Sequence, residues 1–437
     1  MTASRSFLNA IMRQKEKKTD SAAELRSRLC VNPGLAPSFS SLPGLKQLRL
    51  LEAAAKKFNL PNPFFKVHEG SGGAHSVIEK RDYINFSHYN YLGLNGHPEV
   101  NAAAAEAIAR YGTSAGASRL VAGERPPQQE LEKALADFYG VESALVFVSG
   151  HATNVSVIST IFDSADLILH DSLIHNSVIE GSRSSGAVRR SFPHNDFAAL
   201  EALLKELRPG RNQALIVVEG LYSMDGDSPN LGRLLELKKR YKAFLMVDEA
   251  HSLGVLGKSG RGLAEAAAID PNEVDIWMGT LSKTLASCGG YIAGSRDLTD
   301  FLKASAPAFV YSVGISPCLA AASCKALEIM RREPERVERL QVNSSLFFKR
   351  VKEAGFNTGS AAGNAIIPII IGSSRKALEI SGNLFEEGIN VQPIIHPAVE
   401  EKASRLRFFL SSAHTEDDII STTETMRKLF SKKGLLP

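Results

Sequence analysis

Lys283 has the surroundings that most invite chemistry. It sits in Gly279-Thr280-Leu281-Ser282-Lys283-Thr284, behind the apolar Ile276-Trp277-Met278 and ahead of Leu285-Ala286-Ser287-Cys288-Gly289-Gly290. Most lysines are solvated surface charges. Among small and apolar neighbours the ammonium loses hydration and its pKa falls. The neutral amine then attacks carbonyl carbon and forms a Schiff base. Asp248 follows Leu245-Met246-Val247. A carboxylate there caps a helix or needs a cationic partner, of which a pyridinium nitrogen is one. Ser149-Gly150-His151 joins an apolar run to a helical stretch at 151–160. Glycine lets the backbone approach an anion, and a helix N-terminus offers free N–H groups. Thr280 and Ser282 add hydroxyls to the same anion. Neither GxGxxG nor GxxxxGK[ST] occurs, so the dinucleotide and P-loop fingerprints are absent. Asp248, His251, His170 and His175 have no compact metal-ligand spacing, and no metal is expected.

These residues need elements to hold them. Short apolar runs at 144–148, 167–169, 214–218, 244–247, 276–278 and 291–293 predict strands. Amphipathic stretches at 98–110, 128–139, 198–207 and 231–241 predict helices between them. This alternation implies βαβ units and a mainly parallel sheet covered on both faces. In such sheets ligands bind beyond the carboxyl ends of the strands. The residues that follow the runs are Ser149-Gly150-His151, His170-Asp171, Glu219-Gly220, Asp248-Glu249-Ala250-His251 and Gly279 to Lys283. Together these strand ends describe one site.

Further on, helical patterns at 317–330 and 333–354 precede runs at 366–371, 389–391 and 406–410, which predicts a smaller α+β domain. The first 75 residues differ: 12–18 is basic, 33–43 reads as a Pro/Ser/Gly linker, 45–58 as a helix and 68–75 as a loop. The expected division is a leader and arm over 1–86, a large domain over 87–314 and a small domain over 315–437.

Composition narrows the class. The 437 residues are 44% apolar and 22% charged, and 51 basic against 47 acidic side chains leave +4. That charge is too dilute to imply nucleic-acid binding. Cys30, Cys288, Cys318 and Cys324 form no CxxC pair and fit a reducing compartment. No apolar run is long enough for a membrane span, and the N-terminus lacks a secretory core. A cytoplasmic enzyme is expected.

Val247-Asp248-Glu249-Ala250-His251-Ser252-Leu253-Gly254, followed by Gly279 to Thr284, resembles the α-oxoamine synthases. So do Asn90-Tyr91-Leu92-Gly93-Leu94, Gly116-Ala117-Ser118-Arg119-Leu120, Glu219 to Asp227 and Arg405-Leu406-Arg407. The resemblance begins near Asn85 and runs to the C-terminus. The 285–291 stretch is closest to serine-palmitoyltransferase-like and polyketide-associated members. Ala117 departs from the glycine of many members, and His151 from a residue that is often aromatic.

The resemblance implies fold type I, with a mainly parallel seven-stranded sheet, pyridoxal 5'-phosphate as cofactor and a homodimer. It implies that Lys283 holds the cofactor, Asp248 pairs with its pyridine nitrogen, His251 bonds its phenolic oxygen and His175 stacks on its ring. Glu219 and Ser223 are implied as further cofactor contacts. Ser149, Gly150, His151, Thr280 and Ser282 are implied as the phosphate cradle, with Ser312 reaching the other subunit's phosphate. Arg407, with Asn90, is implied to take the amino-acid carboxylate. The implied reaction joins an α-amino acid to an acyl thioester, on coenzyme A or a carrier protein, and releases carbon dioxide and thiol. The alternatives are another fold-type-I reaction, aminotransfer or a lyase, and a non-catalytic subunit; Lys283 speaks against the last.

Overall fold

The computed structural model describes residues 38–57 and 62–434. The chain divides into two compact units, Met1–Leu60 and Pro61–Pro437. In the first, a 3-10 turn at Phe39–Ser41 leads into the helix Pro43–Lys57. The basic stretch at 12–18, Cys30 and residues 33–37 of the expected linker lie outside the described residues.

The second unit carries three sheets. β1 (His68–Glu69), β2 (His75–Ile78) and β3 (Arg81–Asn85) form an antiparallel ribbon. β12 (Ile389–Asn390) lies parallel beside β3. The later part of the expected leader is thus woven into the C-terminal third of the chain. The expected loop at 68–75 begins and ends in strand.

The central sheet comprises β4 (Ser143–Phe147), β5 (Leu167–Asp171), β6 (Val188–Phe192), β7 (Ala214–Glu219), β8 (Phe244–Asp248), β9 (Ile276–Thr280) and β10 (Gly290–Gly294). Its seven strands run in the order β4-β10-β9-β8-β7-β5-β6. All are mutually parallel except β10, which runs antiparallel to both neighbours. This is the fold-type-I sheet. β5, β7, β9 and β10 are buried along their whole length. That is the behaviour of strands covered on both faces, and it explains their unbroken apolar runs. Alternate side chains feed two apolar layers. Leu245 and Val247 of β8 pack on one side with Trp277 and Leu285. Met246 packs on the other with Val217 and Ile292. Each such side chain contributes about 1.5–3 kcal/mol of burial.

β6 did not stand out as a run because it reads Val-Arg-Arg-Ser-Phe. As the edge strand it leaves Arg190 and Ser191 exposed. The helix Asn176–Ser185 is likewise polar and has no apolar stripe. The last sheet is antiparallel, with β11 (Ile366–Ile370), β14 (Arg405–Phe409) and β13 (Gln392–Ile394) in that order. The helices Pro317–Arg332, Glu335–Glu353, Ser374–Glu386 and Glu416–Lys432 accompany it.

Candidate active site

Register places the chemistry. Glu219 pairs directly with Asp248, and Asp248 with Met278, so β7, β8 and β9 end side by side. Asp248 is buried. Its Oδ2 accepts from Asn154 Nδ2 at 2.9 Å and its Oδ1 from the Ala250 N–H at 3.0 Å. Asn154 also donates to Ser177 Oγ at 2.9 Å. Glu219 accepts from the Ser223 N–H at 3.0 Å, while its other oxygen is buried without a hydrogen-bond partner. Burial, reinforced by the neighbouring Asp248 charge, pushes Glu219 up to about 8. Glu219 is therefore mostly protonated at neutral pH.

Lys283 follows β9. Burial holds its pKa down at about 8, against the opposing pull of Asp248 and Glu219. Its Nζ lies 5.5 Å from the centre of the Tyr89 ring. His251 sits near it, with Nδ1 2.6 Å from the Tyr91 hydroxyl and its ring stacked 6.1 Å from Phe409. Burial, with Lys283 and Arg407 close by, keeps His251 well below the usual histidine range and so neutral. His175 caps the helix Asn176–Ser185. Its Nδ1 meets Ser177 Oγ at 2.7 Å and accepts the Ser177 N–H at 3.3 Å. Burial lowers His175 as well.

The expected anion cradle lies where the helix Gly150–Ile161 begins. Ser149 caps it, and the first-turn N–H groups at Gly150 and His151 precede any intrahelical bond. A Cβ on Gly150 would come within 3.0 Å of Thr280 Oγ1, and one on Gly290 within 2.6 Å of Gly150 Cα. Only glycines let this helix end approach β9 and β10 so closely. Ser282 and Thr280 close the turn at the Gly289 carbonyl. His151 itself is exposed, 6.4 Å from the His175 ring.

Arg407 is brought in by β14. Its Nη1 donates to the Ser223 carbonyl at 2.9 Å, and its guanidinium lies 4.6 Å over Phe409. Its Nε is buried with no hydrogen-bond partner. Tyr89 completes the group. Its ring stands edge-on to Phe409 at 5.0 Å and to His251 at 5.8 Å, and its hydroxyl faces Arg407.

Asn90 and Ser312 lie away from this group. Asn90 is buried one position too far along. Its Oδ1 accepts from the Asn95 N–H at 3.0 Å and its Nδ2 reaches the Asn95 carbonyl, so its amide holds a turn and is not offered to a carboxylate. The exposed neighbour Tyr89 faces the site instead. Ser312 lies in the surface loop after Tyr311, its hydroxyl turned to the Val313 carbonyl. Three further residues escaped sequence reasoning. Tyr91 and Tyr89 flank Asn90 in a motif read for its asparagine, and Asn154 carries no signal except its place one turn into the helix.

The donor set suits a phosphorylated aromatic aldehyde. It offers a half-buried amine of lowered pKa, a carboxylate for a ring cation, a carboxyl oxygen without a partner and a helix N-terminus for the phosphate. No compact metal set lies among these residues.

Comparison with known proteins agrees. The model of aminotransferase class I and II matches residues 81–422. The chain is 39% identical to 8-amino-7-oxononanoate synthase of Thermoanaerobacter pseudethanolicus over 370 residues, covering 85% of this chain and 93% of that one. It is 36% identical to serine palmitoyltransferase of Bacteroides thetaiotaomicron over 395 residues, covering 89% of this chain and all of the other. Among solved structures, a serine palmitoyltransferase variant from S. paucimobilis with bound PLP and myriocin superposes with a TM-score of 0.87. That match has 27% identity and covers 91% of this chain and 100% of that one. The chain belongs to the aminotransferase class I and II family. More narrowly, it is an α-oxoamine synthase, a pyridoxal-phosphate-dependent acyltransferase that condenses an amino acid with an acyl thioester.

Proposed function

We propose that Lys283, Asp248, Glu219, His251 and Arg407 perform this condensation, and that the half-buried Lys283 at the end of β9, with its pKa lowered to about 8, is the observation that carries the reading. When bound, the cofactor supplies an electron sink for the negative charge left on the amino acid's α-carbon. Lys283 holds the cofactor through its amine. With the substrate's amino group bound in its place, Lys283 Nζ would be free to take the α-proton; a base near 8 suits that task. Asp248, fixed by Asn154 and Ala250, holds a proton on the ring nitrogen. His251 would donate from Nε2 to the phenolic oxygen, and His175, Ser223 and Glu219 would make the remaining contacts that hold the ring. Ser149, Gly150, His151, Thr280 and Ser282 bind the phosphate. Arg407 takes the substrate carboxylate, using its unpaired Nε, and the Tyr89 hydroxyl joins it.

The working form is a homodimer. Leu120, Val121, Tyr311 and Val313 are exposed apolar side chains on two loops joined by the Gly314 N–H and the Ala117 carbonyl. Ser312 lies among them and reaches the second copy's site once they are covered. Among the described residues no helix is long and apolar enough to cross a membrane, and Cys288, Cys318 and Cys324 are unpaired. Both facts fit a cytoplasmic place. The test crosses a panel of amino acids with acyl-coenzyme A and acyl-carrier donors. Release of thiol and carbon dioxide together supports the reading. A keto acid formed without thioester would assign aminotransfer instead.

A further inference from the structure

His194 follows the edge strand β6 and enters none of the roles above. Its two ring nitrogens both face carboxylates. Nδ1 is 3.0 Å from Asp171 Oδ1 and 3.2 Å from Oδ2, and Nε2 is 2.8 Å from Asp227 Oδ2. A neutral imidazole carries one N–H, so its second nitrogen would set a lone pair against an anion. Bonding both carboxylates at once requires both nitrogens protonated, and Asn195 Nδ2 lies a longer 3.3 Å from Nε2. Asp171 is fully buried and receives further N–H bonds from Leu173 and Asn195. Asn195 Nδ2 also reaches Asp227, and Tyr222 stands edge-on to the ring at 4.5 Å.

Asp227 ends a tight loop. The Tyr222 N–H bonds the Asp227 carbonyl and the Gly226 N–H bonds the Tyr222 carbonyl, both at 2.9 Å. The other side of this loop meets the C-terminal sheet. Arg405 Nη1 bonds the Met224 carbonyl at 2.9 Å and Asp225 Oδ1 at 2.6 Å. Arg407 Nη1 bonds the Ser223 carbonyl and lies 3.2 Å from Met224 Sδ. The loop is therefore a strut, with His194 anchoring one end and Arg407 resting on the other.

We infer that His194, as an imidazolium clamped between Asp171 and Asp227, is a positioning residue for Arg407 and sets the affinity for the amino-acid substrate. This rests on the proposed role of Arg407. Released from Asp227, the loop keeps its bonds to Glu219 and Arg405 but loses its anchor beside β6, so the Ser223 carbonyl is held less firmly beneath the guanidinium. Substrate affinity should suffer more than the chemistry at the α-carbon.

The experiment compares His194→Gln, Asp227→Asn and Arg407→Lys holoenzymes. The dissociation constant of the amino acid is read from the absorbance change of the bound cofactor, without acyl donor, and kcat is measured beside it. His194→Gln should weaken amino-acid binding about tenfold, the loss expected of one charge-assisted bond, with kcat within about twofold. Asp227→Asn keeps the Asp171–His194 pair and should fall between it and the wild type. Should His194→Gln fail to fold, Asp227→Asn decides alone. If Arg407→Lys weakens binding while both strut variants bind as the wild type does, the inference is overturned and the role of Arg407 stands. If Arg407→Lys also binds normally, the role of Arg407 is wrong and the inference falls with it.

Discussion

Replacing Tyr91 by Phe removes one oxygen and tests how the site sets a proton. Tyr91 is fully buried, and its hydroxyl lies 2.6 Å from His251 Nδ1. Burial drives the phenol pKa well up, so the hydroxyl keeps its proton and donates it. Burial and two nearby cations drive His251 well down, so Nδ1 is free to accept. The donated bond therefore leaves the imidazole hydrogen on Nε2, where His251 can donate to the phenolic oxygen of the cofactor. Phe leaves Nδ1 buried and unpaired, which costs about 1–3 kcal/mol. A loss of that size changes the population of the donating tautomer by roughly fivefold to a hundredfold. Tyr91→Phe should move the visible absorbance band of the holoenzyme and the midpoint of its pH titration. Urea unfolding should read the stability loss independently. A variant destabilised by that amount yet unchanged in band and midpoint would show that the hydroxyl serves packing only, and the proton argument would be lost.

Loading of the cofactor onto apoprotein should follow the neutral fraction of Lys283. Its pKa is lowered to about 8, so the reactive form is depleted as pH falls below that value and complete above it. The loading rate, followed by absorbance, should drop about tenfold for each unit below about pH 7 and level off above about pH 9. A flat profile, or a visible band retained in Lys283→Ala, would contradict it. Gly226→Ala tests the strut by strain. Gly226 has φ +73°, and a Cβ there would stand 2.0 Å from the Ile366 carbonyl oxygen. The left-handed backbone and the displaced strand should together cost about 3 kcal/mol or more, read as a lowered urea midpoint. An unchanged midpoint would mean that the loop is not wedged against β11.

The sheet was legible because its strands are buried on both faces, and such strands spell their apolar character without interruption. The edge strand was not, since Arg189 and Arg190 serve solvent and His170 rather than a core. The helix Asn176–Ser185 is polar and packs closely through Gly181. A Cβ there would come 2.8 Å from the Asn154 carbonyl, and that contact leaves no periodic trace. Within the site, single residues at strand ends could be found because position alone marks them. Asn90 and Tyr89 could not be told apart. They are adjacent, and only the hydrogen bonds of Asn95 settle which one faces inward. Tyr91 and Asn154 act through other residues, and sequence gives no spacing rule for that.

Adjacent strands of the sheet end in three acids, and the structure gives each a different fate. Asp171 of β5 is neutralised by His194, whose pKa is raised to about 10 by the two carboxylates it bridges. Glu219 of β7 is neutralised by its own proton. Asp248 of β8 has neither solution: it receives two N–H donors, and among the described residues it forms no ion pair. Three ionised carboxylates this close would repel one another strongly in a buried site. Of the three, Asp248 is the one whose two oxygens each accept from neutral N–H groups alone, which is the setting the proposed ring-nitrogen role requires.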